Sequence, residues 1–359
     1  MKKPLDYAME ACDMMMRRFD APNLPPKGQF HYHQGVFLSG MMKTWELSGD
    51  DRYISYIKDW VDSIISYTGD ITKFNPGQLD DLEPGVLLFP LLERTGDFRY
   101  RYALDTVEHA MEVSPKCENG GFWHKSWYRQ QMWLDGLYMA GPFLAMYGAA
   151  FNRPDLFDLD LQQAQLMRQV TRDEKTGLWY HAWSENRKIA WSDPETGKSP
   201  EFWGRAIGWV PVALLEEMDY IPKDNPAWKQ LGDIACDLLR ALLPYQDQTT
   251  GLWYQVVNRG DDPRNWLETS CTCLYVHGLM KAVRFGLMDR DVLPAAWKGY
   301  QGVIDRLTYD ADGNVQIGGV CVGTGVGNYE HYLGRTVSTN DLHGVGAYLL
   351  MCAEAARAE

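Results

Sequence analysis

No cysteine pair in this 359-residue chain has the CxxC spacing of a metal clip or redox motif, and no HExxH is present. The seven cysteines (12, 117, 236, 271, 273, 321 and 352) form an odd, scattered set. Cys271 and Cys273 stand CxC inside an apolar helical run, which fits buried thiols; the pattern predicts a reducing compartment and no structural metal. A basic block is also missing, and the net charge of −13 argues against nucleic acid as a partner. It does not exclude a small acidic ligand, because a few local Arg and His outweigh distant diffuse charge. No run approaches transmembrane length. The N-terminal MKKPLDYAMEACDMMMRRFD carries Asp and Glu where a signal peptide needs an unbroken apolar stretch. The expectation is a cytoplasmic protein with no membrane partner. No low-complexity or Pro/Ser linker interrupts the chain, so residues 1–359 are expected to form a single domain.

Aromatic residues are abundant: 14 Trp and 20 Tyr within an apolar fraction of 45%, ample for a core. Aromatics clustered with polar groups at element ends also hold sugar rings by stacking on their apolar faces. The densest stretch, Gly120–Gly148, surrounds one carboxylate, Asp135, with three Trp and three Tyr. Asp135 stands just ahead of the apolar run Leu137–Tyr147. Two roles compete for it: an N-cap for the helix that follows, and a carboxyl whose pKa is raised by apolar surroundings so that it donates a proton near neutral pH.

Helical periodicity runs through most of the chain. Phe37, Met41 and Trp45 recur every fourth residue, and Ile54, Ile57, Val61 and Ile64 follow three-then-four spacing. SGDDRY (Ser48–Tyr53) returns as TGDFRY (Thr95–Tyr100); in each, Gly supplies a left-handed helix end and Asp caps the next helix. A second device, G-φ-W-[YH], occurs at Gly121–His124, Gly177–His181 and, ending in Gln, Gly251–Gln255. Further helical runs at 155–170, 207–220, 228–243, 267–285, 291–307 and 342–356 bring the total to roughly twelve helices, or six hairpins of about sixty residues. The repeats are longer and less regular than those of open solenoids. Closure into an all-α barrel of six hairpins, with long aromatic loops at one end, follows.

Five loop-proximal segments gather polar and aromatic residues. His31 and His33 flank Tyr32, facing together if the segment is extended; a metal there would need further ligands that spacing does not assign. Asp80, Asp81 and Glu83 precede an apolar helix, where acids are favoured by the macrodipole, and one of them is the alternative: a second carboxylate facing Asp135. His124 accompanies Asp135 in the third segment. The fourth joins His181 and Trp183 to Glu201–Trp209, where Arg205 lies between Trp203 and Trp209. It is either a carboxylate clamp or a structural Arg stacked on Trp. The Gly-rich Gly318–Tyr329 lacks the strand and helix of a dinucleotide-binding unit and reads as a tight loop approaching a pocket.

These groups suggest acid/base chemistry on a small acidic sugar. The segments LDDLEPGVLLFPLLERTGD (Leu79–Asp97), GGFWHK (Gly120–Lys125), MWLDGLYMA (Met132–Ala140), Glu201–Pro222, NWLETSCT (Asn265–Thr272) and Asn340–Leu350 resemble the unsaturated rhamnogalacturonyl hydrolases, glycoside hydrolase family 105. The resemblance extends from about His31 to Leu350. It implies an (α/α)6 barrel and removal of a 4,5-unsaturated uronic acid from the non-reducing end of a lyase product. It implies that Asp135 protonates C4 of the enol ether and that Asp80 is the second acidic residue. Tyr32, His33, His124, Trp133, His181, Trp203, Arg205 and Trp209 would bind substrate. A small unsaturated oligosaccharide is the implied partner, with no metal and no organic cofactor; the oligomeric state stays open. An inverting glycosidase or sugar epimerase on the same barrel, and a non-catalytic helical scaffold, are the competing readings.

Overall fold

The two [ST]-G-D-x-R-Y turns fold as their residues dictate. Gly49 and Gly96 adopt φ of 68° and 65°, ending helices α2 (Tyr32–Ser48) and α4 (Leu88–Thr95). Asp50 and Asp97 then accept the backbone N–H of Arg52 and Arg99, starting α3 (Asp51–Ile64) and α5 (Phe98–Glu112). The same alternation continues through α6 (Asp135–Phe151), α7 (Asp155–Thr171), α8 (Gly204–Glu217), α9 (Pro226–Leu242), α10 (Thr269–Arg284) and α11 (Leu293–Asp305). Helix α1 (Pro4–Arg18) precedes these, and the short α12 (Tyr329–Leu333) and α13 (Leu342–Ala358) follow. The computed structural model describes residues 2–359.

Burial sorts these helices into two rings. In α3 the buried residues Tyr53, Ile54, Ile57, Trp60, Val61 and Ile64 form one stripe, while Arg52, Lys58 and Asp59 look outward. Helices α8, α10 and α13 are buried almost all round, as helices enclosed by neighbours must be. The inner ring runs α2, the 3-10 segment Glu83–Leu87 with α4, α6, α8, α10 and α13, and α13 packs back on α2. Helices α1, α3, α5, α7, α9 and α11 cover it from outside. This is an (α/α)6 barrel. The closing α2–α13 contact is close because glycines meet it: a Cβ on Gly40 would stand 2.7 Å from Leu349 Cβ, and one on Gly346 would collide with the Val36 carbonyl.

The barrel interior also holds charge. Glu216 on α8 meets Lys43 of α2 (3.2 Å), and His277 (3.2 Å) and Lys281 (2.5 Å) of α10, tying three inner helices together.

At one end, short antiparallel pairs replace simple turns: β1 (Gln131–Trp133) with β2 (Ala182–Ser184), β3 (Trp253–Tyr254) with β4 (Leu267–Glu268), β5 (Thr308–Tyr309) with β6 (Val315–Gln316), and β7 (Val320–Cys321) with β8 (Val337–Ser338). Leu267 and Glu268, expected within a helix, are extended because Glu268 caps α10 through the Cys271 N–H. All seven cysteines are buried and free. No helix among the described residues is long and apolar enough to cross a membrane.

Candidate active site

The strand pairs deliver the polar residues. Trp133, the last residue of β1, lies opposite Ala182, the first of β2. Leu134 N–H donates to the His181 carbonyl at 3.0 Å, so Asp135, at the start of α6, and His181 emerge side by side. The bridge between Gln78 and Lys125, with Leu79 N–H on the His124 carbonyl, fixes the 3-10 turn Leu79–Asp81 against the same loop. That turn sends adjacent carboxylates different ways. Asp80 points to Lys125 Nζ (2.6 Å) and His124 Nε2 (3.4 Å), whereas Asp81 turns back to accept the Asn75 N–H (3.1 Å).

Asp135 does not cap its helix. It is the first helical residue, and its Oδ2 accepts from His181 Nε2 at 3.1 Å. His181 is fully buried, and its Nδ1 lies 2.8 Å from the Tyr332 hydroxyl. The Asp135 carboxylate can only accept, so Nε2 carries the hydrogen of the neutral ring, and Nδ1 accepts from the Tyr332 hydroxyl, which itself accepts the Gly327 N–H. Aromatic rings wall this chain. Trp133 stacks on His124 (4.7 Å between centroids) and on Tyr128 (4.9 Å), and Trp203 lies 4.7 Å from His181.

The raised proton affinity expected of Asp135 is not what the free protein has. Burial pushes the carboxyl up, but the His181 hydrogen bond and the neighbouring imidazoles more than offset it, leaving it below its ordinary value. An apolar wall alone would raise it; a buried donor aimed at the carboxylate reverses the sign. Asp80 is likewise driven up by burial and brought below its ordinary value by His124, Lys125 and His31. Burial pushes His124 down, so near neutral pH Lys125 is the charge that keeps Asp80 ionised. Burial also raises Asp81, to about 6.

The remaining candidates divide. Tyr32 and His33 begin α2 and cluster with His31 and His343; the rings of Tyr32 and His33 are 4.2 Å apart, and those of His31 and His33 are 5.0 Å apart. Burial and the neighbouring imidazoles lower His33 to about 3. Arg205 is not a free clamp. Its Nη1 donates to the Cys321 carbonyl (2.5 Å) and its Nη2 to that of Val322 (2.8 Å), while its guanidinium lies 4.5 Å from the Trp203 ring centre. Of the two roles open to it, the structure favours the structural one: it holds the Gly-rich loop. Trp209 stacks on Tyr138 inside the core, one helical turn beyond Asp135, and backs the pocket without facing it. Sequence reasoning missed Tyr332, 151 residues from its partner His181, and gave no role to Lys125.

The model of glycosyl hydrolase family 88 matches residues 7–359. The chain belongs to that family. It is a glycoside hydrolase, and its similarity extends to the family 105 proteins that its motifs resemble. A glycoside hydrolase from family 105 of C. acetobutylicum ATCC 824 superposes with a TM-score of 0.92 at 31% identity, over 97% of this chain and 99% of that one. The unsaturated rhamnogalacturonyl hydrolase YesR of Bacillus subtilis is 28% identical over 254 residues, 69% of either chain. Protein Atu3128 of Agrobacterium fabrum is 31% identical over 230 residues, 60% of this chain and 97% of its own length.

Proposed function

We propose that the protein removes a 4,5-unsaturated uronic acid from the non-reducing end of lyase-generated oligosaccharides by adding water across the C4=C5 bond. The observation that carries this reading is the pair of unlike carboxylates: Asp80 held ionised by Lys125, and Asp135 bonded through a single side chain, His181. An ordinary glycosidase uses two carboxyls across the anomeric carbon. Hydration of an enol ether needs one carboxyl that gives a proton and then takes one. An anionic uronate beside Asp135 adds like charge and excludes water, which raises the carboxyl's affinity for a proton on binding. Protonated Asp135 gives that proton to C4. Water then attacks C5 and returns a proton to the Asp135 carboxylate. The resulting hemiketal opens to the ketone and the aglycone leaves as an alcohol.

His181 orients Asp135. His124, Trp133 and Trp203 form the walls of the subsite, and Tyr32 and His33 stand at its edge. We take residues 1–359 as one catalytic domain, since α13 closes on both α2 and α1.

The test is spectroscopic. Mixed with unsaturated disaccharides made by polysaccharide lyases, the protein should erase the ultraviolet absorbance of the conjugated enol-carboxylate. Asp135→Asn should fold with an unchanged circular dichroism spectrum and lose turnover by about 10²–10⁴-fold or more. Full activity in that variant, or a flat trace with rhamnose-, galacturonate- and glucosamine-linked substrates alike, would remove the proposal.

A further inference from the structure

His343 lies at the start of α13 and is fully buried. Its Nε2 stands 3.0 Å from the Cys321 carbonyl, which can only accept, so Nε2 carries the hydrogen. In a neutral ring Nδ1 is then a bare lone pair. It has no hydrogen-bond partner, yet Asp341 Oδ1 lies 2.8 Å away. Two acceptors would then face each other at contact distance, which requires either a proton on Nδ1, donated to Asp341, or a cation bound beside both atoms. Asp341 occupies the N-cap position of α13 but caps nothing, because its carboxylate is turned toward His343.

A third ligand comes from another helix. One ring nitrogen of His33, one of His343 and a carboxylate oxygen of Asp341 all lie within 4.8 Å of one another. His33 spends Nδ1 on His31 Nδ1 at 3.0 Å, and His31 Nε2 stands 3.9 Å from the Asp80 carboxylate. The Asp80 carboxylate, beyond hydrogen-bond distance, favours the hydrogen on His31 Nε2 only through its charge, and with it the tautomer pair in which His31 Nδ1 accepts and His33 Nδ1 donates. Nε2 of His33 is left as a free lone pair. This is the outer-sphere arrangement that fixes the tautomer of metal-binding histidines. A proton on His343 would answer two of the three facing atoms, whereas a cation answers all three.

We propose that His33, Asp341 and His343 bind a divalent transition cation of the zinc class. Two imidazoles and one carboxylate are a common ligand set for such ions, with the fourth position open to water. The cation would tie the first turn of α2 to the first turn of α13, at the seam where the inner ring closes. It revises the expectation of a metal-free protein, and it supplies the ligands that the His31–His33 spacing alone did not.

The test uses the full chain after stripping with a chelator and desalting. Added Co²⁺ should bind stoichiometrically and give the visible absorption of a low-coordinate nitrogen/oxygen site, and Zn²⁺ should displace it and raise Tm. His33→Gln and Asp341→Asn, both at partly exposed positions, should keep their circular dichroism and weaken Co²⁺ binding by at least about 10-fold. His31→Gln should weaken it while leaving all three ligands in place. No Co²⁺ spectrum at micromolar metal, or one that survives both ligand substitutions, would overturn the proposal. A ¹⁵N spectrum showing His343 protonated on both nitrogens with Zn²⁺ present would do the same.

Discussion

Adjacent residues Asp80 and Asp81 carry the same side chain and do unlike work, and a single 3-10 turn makes the difference. In sequence the pair invites a one-residue slip, because no spacing rule tells which of two neighbours in a tight turn faces a cleft. The structure supports a sharp contrast. Asp80→Asn removes the partner of Lys125 and should lower kcat/KM by about 10²-fold or more. Asp81→Asn should leave turnover near wild type. Asp81 instead shows itself in stability: its folded pKa, about 6, lies above its unfolded value. The fold thus holds this proton more tightly, so the contribution of Asp81 to stability is fullest below about pH 4, falls as pH rises through 6, and then levels off. Asp81→Asn should lack that fall, and denaturant midpoints for both proteins from pH 4 to 8 measure the difference. Asp135 teaches the complementary lesson. The aromatic stretch around it suggested a raised pKa, but the sign of the shift depends on His181, 46 residues away, and on the phenol behind it.

At the level of elements, the turns and outer helices were legible because their signals are local. Gly49–Asp50 and Gly96–Asp97 each carry a complete helix stop and start within two residues. The strand pairings were not legible: each strand is two or three residues long, and in three of the four pairs the partner lies at least a dozen residues further along the chain. Arg205 shows the cost of reading a residue without its partners. Flanked by tryptophans it suggested a ligand clamp, yet its donors hold the loop that begins at β7. Arg205→Lys should lose the two-carbonyl geometry that a point charge cannot reproduce. Tm should fall together with a rise in KM, from a destabilisation of about 2–3 kcal/mol. A raised KM with unchanged Tm would point to a direct substrate clamp. The glycines of the α2–α13 seam give a packing prediction. Gly346→Ala forces two backbones apart and should cost about 1–3 kcal/mol, read as a lower urea midpoint at unchanged m-value.

For the molecule as a whole, the number of hairpins and their closure were foreseeable from the repeats, but the charged barrel interior was not. Lys43, Glu216, His277 and Lys281 sit in runs that read as ordinary apolar helices, and their meeting is set by ring geometry. Glu216 is the shared acceptor. Burial pushes its carboxyl up, but the two lysines and His277 more than reverse this and hold it well below the usual carboxylate range. Glu216→Gln should leave two buried ammonium groups undercompensated and destabilise the barrel by about 3–5 kcal/mol. Equilibrium unfolding checks this, and a loss under 1 kcal/mol would show the cluster to be solvated.

Ring closure also sets an order of events in time. The helices that α2 packs against include one more than three hundred residues further along, and that helix, α13, carries His343 and has Asp341 at its N-cap. A ribosome releasing this chain therefore exposes an open crescent of hairpins, with the seam side of α2 uncovered, until the final turns of α13 emerge. At a synthesis rate of about 5–20 residues per second that interval is tens of seconds. During it the nascent barrel depends on being shielded from its neighbours, and its pocket wall acquires its last members only when α13 emerges.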